Sequence, residues 1–144
     1  TLGKEHLEFL RGLPAIIEAD PCTLVHAAPA NPEKWEYVDS LESAQRQFAA
    51  FATRLCFIGH THVPSLIGEN LKSFVFKPGM RYLINVGSVG QPRDGNPQLS
   101  FGILDTDAWT YRNIRADYDI ASASRTISAA GLPSALGKRL HQGR

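Results

Sequence analysis

The chain has 144 residues, 43% of them hydrophobic and 20% charged, with a formal net charge of +1. That composition fits a globular domain with a core of its own and excludes a disordered tract. Scattered Lys and Arg leave no electrostatic footprint for long nucleic acid, and no apolar run nears the ~18 residues that span a bilayer.

In chain order, residues 3–12 place Leu7 and Leu10 on one helical face, with Gly12 and Pro14 ending the helix. Short strands are expected at 15–19 and 22–26, split by Asp20-Pro21. The Pro-, Ala- and Asn-rich stretch AAPANPEKWEYV reads as an irregular loop. Asp39 with Glu42 three residues on resembles a capping box for a helix over 40–53, with Leu41, Ala44, Phe48 and Phe51 or Ala52 as its apolar stripe. A strand at 54–58 runs into Gly59. Strands then follow at 64–68, 71–77 and 81–86, joined by turns at Glu69-Asn70 and Pro78-Gly79. Two more, 99–104 and 109–115, form a hairpin through Asp105-Thr106-Asp107. Asp119 caps a helix to about Ala130, Gly131-Leu132-Pro133 breaks it, and a last short helix reaches Leu140. Cys22 and Cys56 each sit inside an apolar run, too few for a disulfide framework and too far apart for a zinc motif. They read as reduced thiols buried in neighbouring strands, which with no secretory signal at the start points to a cytoplasmic setting. The chain opens Thr1-Leu2-Gly3 and its one methionine is Met80, so it reads as a processed product or a fragment.

The stretch FIGHTHVP carries the chemistry. His60 and His62, two apart, diverge on a helix but share one side of an extended segment. The order strand 22–26, helix 40–53, strand 54–58 is a βαβ unit, whose two strands run parallel and end on one sheet edge. His26 closes the first strand, so topology brings it to His60 and His62, and three imidazoles suit Zn, Mn, Fe or Ni. His6 and His141 lie on polar helices and read as solvated.

The segments LVHAAP, FIGHTHVP and INVGSVGQPRDGNP, with the tail YDIASASRTISAAGLP, resemble the calcineurin-like metallophosphoesterases, in particular their small bacterial and archaeal phosphodiesterases. The resemblance implies a mixed α/β fold. The expected form is part of a four-layer α/β/β/α sandwich, one βαβ unit followed by mostly antiparallel strands and C-terminal helices. It also implies hydrolysis of a phosphate ester by a binuclear centre of two divalent cations that clamp the phosphate and activate water. By the same resemblance His26 and His60 hold one metal and His62 the other. Asn85, with Gly87 and Ser88, falls in the loop behind the site and near the phosphate, although Val86 stands where many members carry proline. Arg93 falls near the phosphate. The alternative for Arg93 is a surface residue paired with Asp94 in a Pro-Arg-Asp-Gly turn.

The family's earlier motifs, Asp-x-His, Gly-Asp-x-x-Asp and Gly-Asn-His-Asp/Glu, do not occur here, and Glu33, Glu36 and Asp39 are poor substitutes. Residues 1–144 are therefore expected to be the C-terminal portion of one metallophosphoesterase domain, completed by a missing N-terminal segment or a second chain. Alone the chain is expected to be inactive and to hold at most one cation weakly. Two other readings stay open: a non-catalytic subunit or remnant, and a mononuclear cupin-like barrel using His-x-His and Glu69.

Overall fold

The computed structural model describes residues 2–144. Ile16–Ala19 (β1) and Cys22–Val25 (β2) pair antiparallel around Asp20-Pro21, with Ile16 opposite Val25 and Ala19 opposite Cys22. Leu55–Ile58 (β3) lies parallel to β2 and Tyr82–Asn85 (β5) parallel to β3, while Ser65–Gly68 (β4) runs antiparallel on the outer side of β5. The sheet order is thus β1-β2-β3-β5-β4. A second, two-stranded sheet is the hairpin of Leu99–Asp105 (β6) and Thr110–Ala116 (β7). The helices are Lys4–Arg11 (α1), Leu41–Gln47 (α2), Ile120–Ala129 (α3) and Ser134–Lys138 (α4). The mixed α/β class and the βαβ unit hold. The open sheet is not a cupin barrel, and β5, expected among antiparallel strands, is parallel to β3.

Period-two alternation decides which face each side chain takes. Cys56, Ile58 and Leu83 join Val25, Ala44, Phe48 and Phe51 in a core between the sheet and α2. Leu55, Tyr82 and Ile84 point the other way, against Phe76, Leu104, Trp109 and Tyr111 of the second layer. Cys22 and Cys56 are both free thiols in adjacent strands, but on opposite faces. Burial pushes the Cys56 thiol up to about 12, so it is inert as a nucleophile.

The hairpin covers only part of its face. Ile17, Leu24, Phe57 and Ile84 form one row across the sheet. Along that row exposure rises from 0% at Ile84 to 43% at Leu24 and 46% at Ile17. Apolar residues at the β1–β2 end therefore lie half open, in a cleft that Leu10 of α1 also lines.

Two expected elements differ. The helix after the loop is capped by Ser40 rather than Asp39, because Ser40 and Ser43 satisfy each other's backbone N–H groups at 3.1 and 3.0 Å. It also stops at Gln47, well short of residue 53. The guanidinium of Arg81 explains the stop: it donates to the carbonyls of Phe48 (2.9 Å) and Phe51, taking acceptors that a continuing helix would use. Residues 71–77 form no strand. Asn70 Oδ1 accepts from the N–H groups of Lys72 and Ser73, and Tyr82 Oη accepts from Lys77 N–H while donating to Val75 O. Those backbone groups are spent on a turn and a tyrosine, so no ladder forms. Asp119 caps α3 through Ser122 N–H at 2.8 Å, as the sequence indicates. No helix among the described residues is long and apolar enough to cross a membrane.

Candidate metal centre

The parallel pairing of β2 and β3 delivers His26 and Gly59 to the same edge, where Gly59 N–H donates to the carbonyl of His26 at 2.9 Å. Beyond that bond the chain is not extended. His60 (φ 64°) and His62 (φ 62°) are both left-handed, which overturns the expectation that an extended segment sets their common direction. Left-handed backbone in a non-glycine residue costs about 1–3 kcal/mol and persists where the surroundings impose it. Asn85, 1% exposed, imposes it here. Its carboxamide N–H groups donate to Gly59 O (2.7 Å) and Thr61 Oγ1 (2.8 Å), and its oxygen accepts Gly87 N–H (2.9 Å). Asn85 thus braces the histidine loop from behind. That is the place behind the site expected of it, with its polar atoms engaged in the loop.

His26 and His60 come together, ring centres 5.3 Å apart and inclined at 67°. Two imidazoles that share one cation through bonds of about 2.0–2.1 Å place their ring centres roughly 5 Å apart, so this pair fits two ligands of one ion. Partial burial lowers the pKa of His26, and the neighbouring His60 and His62 lower it further. The neutral, ligating form is favoured accordingly. His62 lines the same cleft, and its Nδ1 lies 2.7 Å from Gln91 O. A carbonyl only accepts, so Nδ1 is the donor of this bond, which points Nε2 away as the nitrogen a cation would take, the usual support of a ligating histidine.

Among the described residues no three His, Cys, Asp or Glu side chains converge as a complete metal-holding group. Glu33 lines the cleft without joining the histidines in such a group, and Glu36 and Asp39 are exposed. The donors present fit part of a cation site and lack the anionic part. Arg93 is exposed, and its backbone N–H donates to His62 O at 3.2 Å. Asp94 pairs with Arg115 instead, which removes the turn pairing as an account of Arg93. His6 and His141 are exposed, away from this edge.

Sequence reasoning missed Trp35 and Tyr37. The Trp35 ring centre lies 4.8 Å from His26 and 5.5 Å from His60, and that of Tyr37 lies 4.4 Å from His60. The available signal was an aromatic pair, Trp-Glu-Tyr, inside an otherwise Pro/Ala/Asn loop.

Gly87 fixes the other wall. It sits at φ 83°, and a Cβ there would fall 2.5 Å from Ser100 Oγ and 2.6 Å from Ser100 Cβ. Ser100 is 1% exposed and donates to Val86 O at 2.8 Å, so it has no room to yield. Gly87→Ala is expected to lower unfolding free energy by about 2–4 kcal/mol, from strain and overpacking together. A urea midpoint equal to that of the parent protein would contradict this.

The mixed sheet thus brings His26 and His60, which follow neighbouring parallel strands, to one edge. Residues 4–108 match the calcineurin-like phosphoesterase superfamily domain. The chain is 36% identical over 156 aligned positions to the uncharacterized protein MJ0912 of Methanocaldococcus jannaschii, covering 100% of this chain and 62% of that protein. It superposes on the crystal structure of a metallophosphoesterase from Sphaerobacter thermophilus with a TM-score of 0.92 and 39% identity, over 99% of this chain and 63% of that one. The hypothetical protein PH1004 of Pyrococcus horikoshii OT3 shares the fold, with a TM-score of 0.75 at 19% identity, over 99% of this chain and 56% of that one. The chain belongs to the calcineurin-like phosphoesterase superfamily. It spans less than two thirds of the length of these relatives.

Proposed function

We propose that this chain supplies the histidine side of a binuclear centre for metal-dependent hydrolysis of phosphate esters. It would form the C-terminal portion of a single catalytic domain. The observation that carries the reading is the placement of His26 and His60 side by side at the ends of neighbouring parallel strands. In it, His26 and His60 hold one divalent cation and His62 a second. Mn, Fe, Ni and Zn all suit imidazole. When bound, such cations supply Lewis acidity toward the phosphate oxygens and an acidified water at neutral pH.

The chain's own residues divide the remaining work. Asn85 and Gly87 hold the histidine loop in its left-handed course. The Gln91 carbonyl keeps the Nε2 of His62 available. Arg93, exposed and joined to His62 O through its backbone N–H, would offer its guanidinium to the phosphate oxygens with two parallel N–H groups.

Three neutral imidazoles do not offset the repulsion of two close divalent cations, which grows steeply as the dielectric falls. Carboxylates must therefore arrive from a segment outside these residues or from a second chain. The open apolar row at Ile17 and Leu24 supports that reading. Unpaired apolar surface of this kind favours association.

Metal content and turnover, measured together, test the proposal. The 144-residue chain should bind no more than one equivalent of Mn²⁺ and leave bis(p-nitrophenyl) phosphate intact. The enzyme completed by the additional segment should bind two, hydrolyse the diester and fall silent with a chelator. Two tightly held ions in a monomer of the 144-residue chain would overturn the need for completion. A completed protein that binds metal without hydrolysing any phosphoester would favour the non-catalytic reading.

A further inference from the structure

The 31–38 loop does something the phosphoesterase reading does not require. Trp35 is 56% exposed, on the wall of the cleft, with its indole close to both His26 and His60. Leaving an indole in water forfeits the burial that makes tryptophan valuable in a core, and a solvent-facing aromatic beside polar ligands is characteristic of a recognition surface.

The backbone underlines the point. Trp35 sits at φ 54°, left-handed, which is an outlier for a bulky side chain. Of five such non-glycine residues among the described ones, three are Trp35, His60 and His62, so strain collects at this one site. The loop is also built to stay in place. Lys34 N–H donates to Asn31 O at 3.0 Å, Ala30 N–H donates to the buried Gln47 Oε1 at 3.1 Å, and Val38 is 9% exposed in the α2 core. A floppy surface tryptophan would need none of these anchors.

We propose that Trp35 is a specificity-determining residue: a stacking platform, with Tyr37 supporting His60 alongside, that selects phosphoesters carrying a flat aromatic group, aryl or nucleobase, next to the phosphorus. The proposal rests on the phosphoesterase reading for where the phosphate sits. Aromatic rings stack at centre separations of about 4.5–7 Å. With the indole centre 4.8 Å from His26 and 5.5 Å from His60, an aromatic group on an ester oxygen at the histidine pair would lie beside it. A methyl or glycerol group has no π-face to offer. The remaining wall near Trp35, with Pro32 and the aliphatic residues Leu10 and Leu13, is apolar and suits the same group.

The test compares two ligands that share a phosphonate and resist hydrolysis, 4-nitrophenylphosphonate and methylphosphonate. In the completed enzyme Trp35→Ala should raise the inhibition constant of the aryl ligand about tenfold to a hundredfold. The methyl ligand should be unaffected, and Trp35→Phe should recover most of the loss. An equal weakening of both ligands would mean that Trp35 merely props the histidines, and would overturn the proposal. A binding readout separates this from failure of the hydrolase reading. With Trp109 and any tryptophan of the completing segment replaced by Phe, Trp35 reports alone, and 4-nitrophenylphosphonate should quench its fluorescence saturably while methylphosphonate should not. Quenching without any turnover would uphold the platform and leave the hydrolase reading refuted. No saturable quenching would refute the platform whatever the activity.

Discussion

Replacing His60 by asparagine in the completed enzyme is expected to lower turnover of bis(p-nitrophenyl) phosphate by about a thousandfold or more. A cation held by this site is worth several kcal/mol in the transition state, and each 1.36 kcal/mol is a factor of ten. Asparagine is the informative choice because its short polar side chain, which can hydrogen-bond to the local backbone, favours the left-handed conformation of residue 60 more than alanine does. The loss should therefore appear in kcat and in bound metal while the thermal midpoint stays near that of the parent. His26→Asn should match it, since the two imidazoles stand 5.3 Å apart and serve one ion in this reading. Turnover within tenfold of the parent, with metal still bound, would remove His60 from the site.

Much of this site was legible in the sequence because topology, rather than packing detail, assembles it. Three facts sufficed for His26 and His60: each follows a short apolar strand, a helix lies between those strands, and such crossovers bring strand ends to one edge. The course of the chain through His60 and His62 was not legible. It depends on the Asn85 carboxamide, 25 residues beyond His60 and reachable only after β5 has docked parallel to β3. A lone asparagine at a strand end announces nothing of the kind. The same reasoning covers Trp35. Its loop was correctly read as irregular, but no local rule says that an exposed indole folds back onto two histidines contributed by other segments. The strand expected at 71–77 failed for a different reason. Its β-favouring run Phe74, Val75 and Phe76 suits a ladder, yet the Asn70 turn and the Tyr82 hydroxyl capture the backbone groups first. Phe74 and Val75 consequently stay exposed.

The helix end at Gln47 supplies the second large effect. Arg81 serves several groups at once. It donates to the carbonyls of Phe48 and Phe51, more weakly to Thr53 O at 3.4 Å, and to Glu69 Oε1 at 2.7 Å. Its guanidinium lies 4.7 Å from the centre of the Phe51 ring. Phe48 and Phe51 are 8% and 5% exposed, so carbonyls that lose this donor have little water to replace it. Charged hydrogen bonds contribute about 1.5–3 kcal/mol each, and a buried acceptor left unpaired costs about 1–3 kcal/mol. The Glu69 pair, half open to solvent, adds at most a fraction of that. Arg81→Ala is accordingly expected to destabilise the fold by about 3–4 kcal/mol, and Glu69→Gln by less than about 1 kcal/mol. Urea unfolding of the two variants side by side checks the assignment. Equal losses would place the effect in the ion pair and not in the carbonyls. Arg81 immediately precedes Tyr82–Asn85, and Thr53 stands just before Leu55–Ile58. The residue that ends the helix therefore also clamps together the two strands whose tips carry Asn85 and His60.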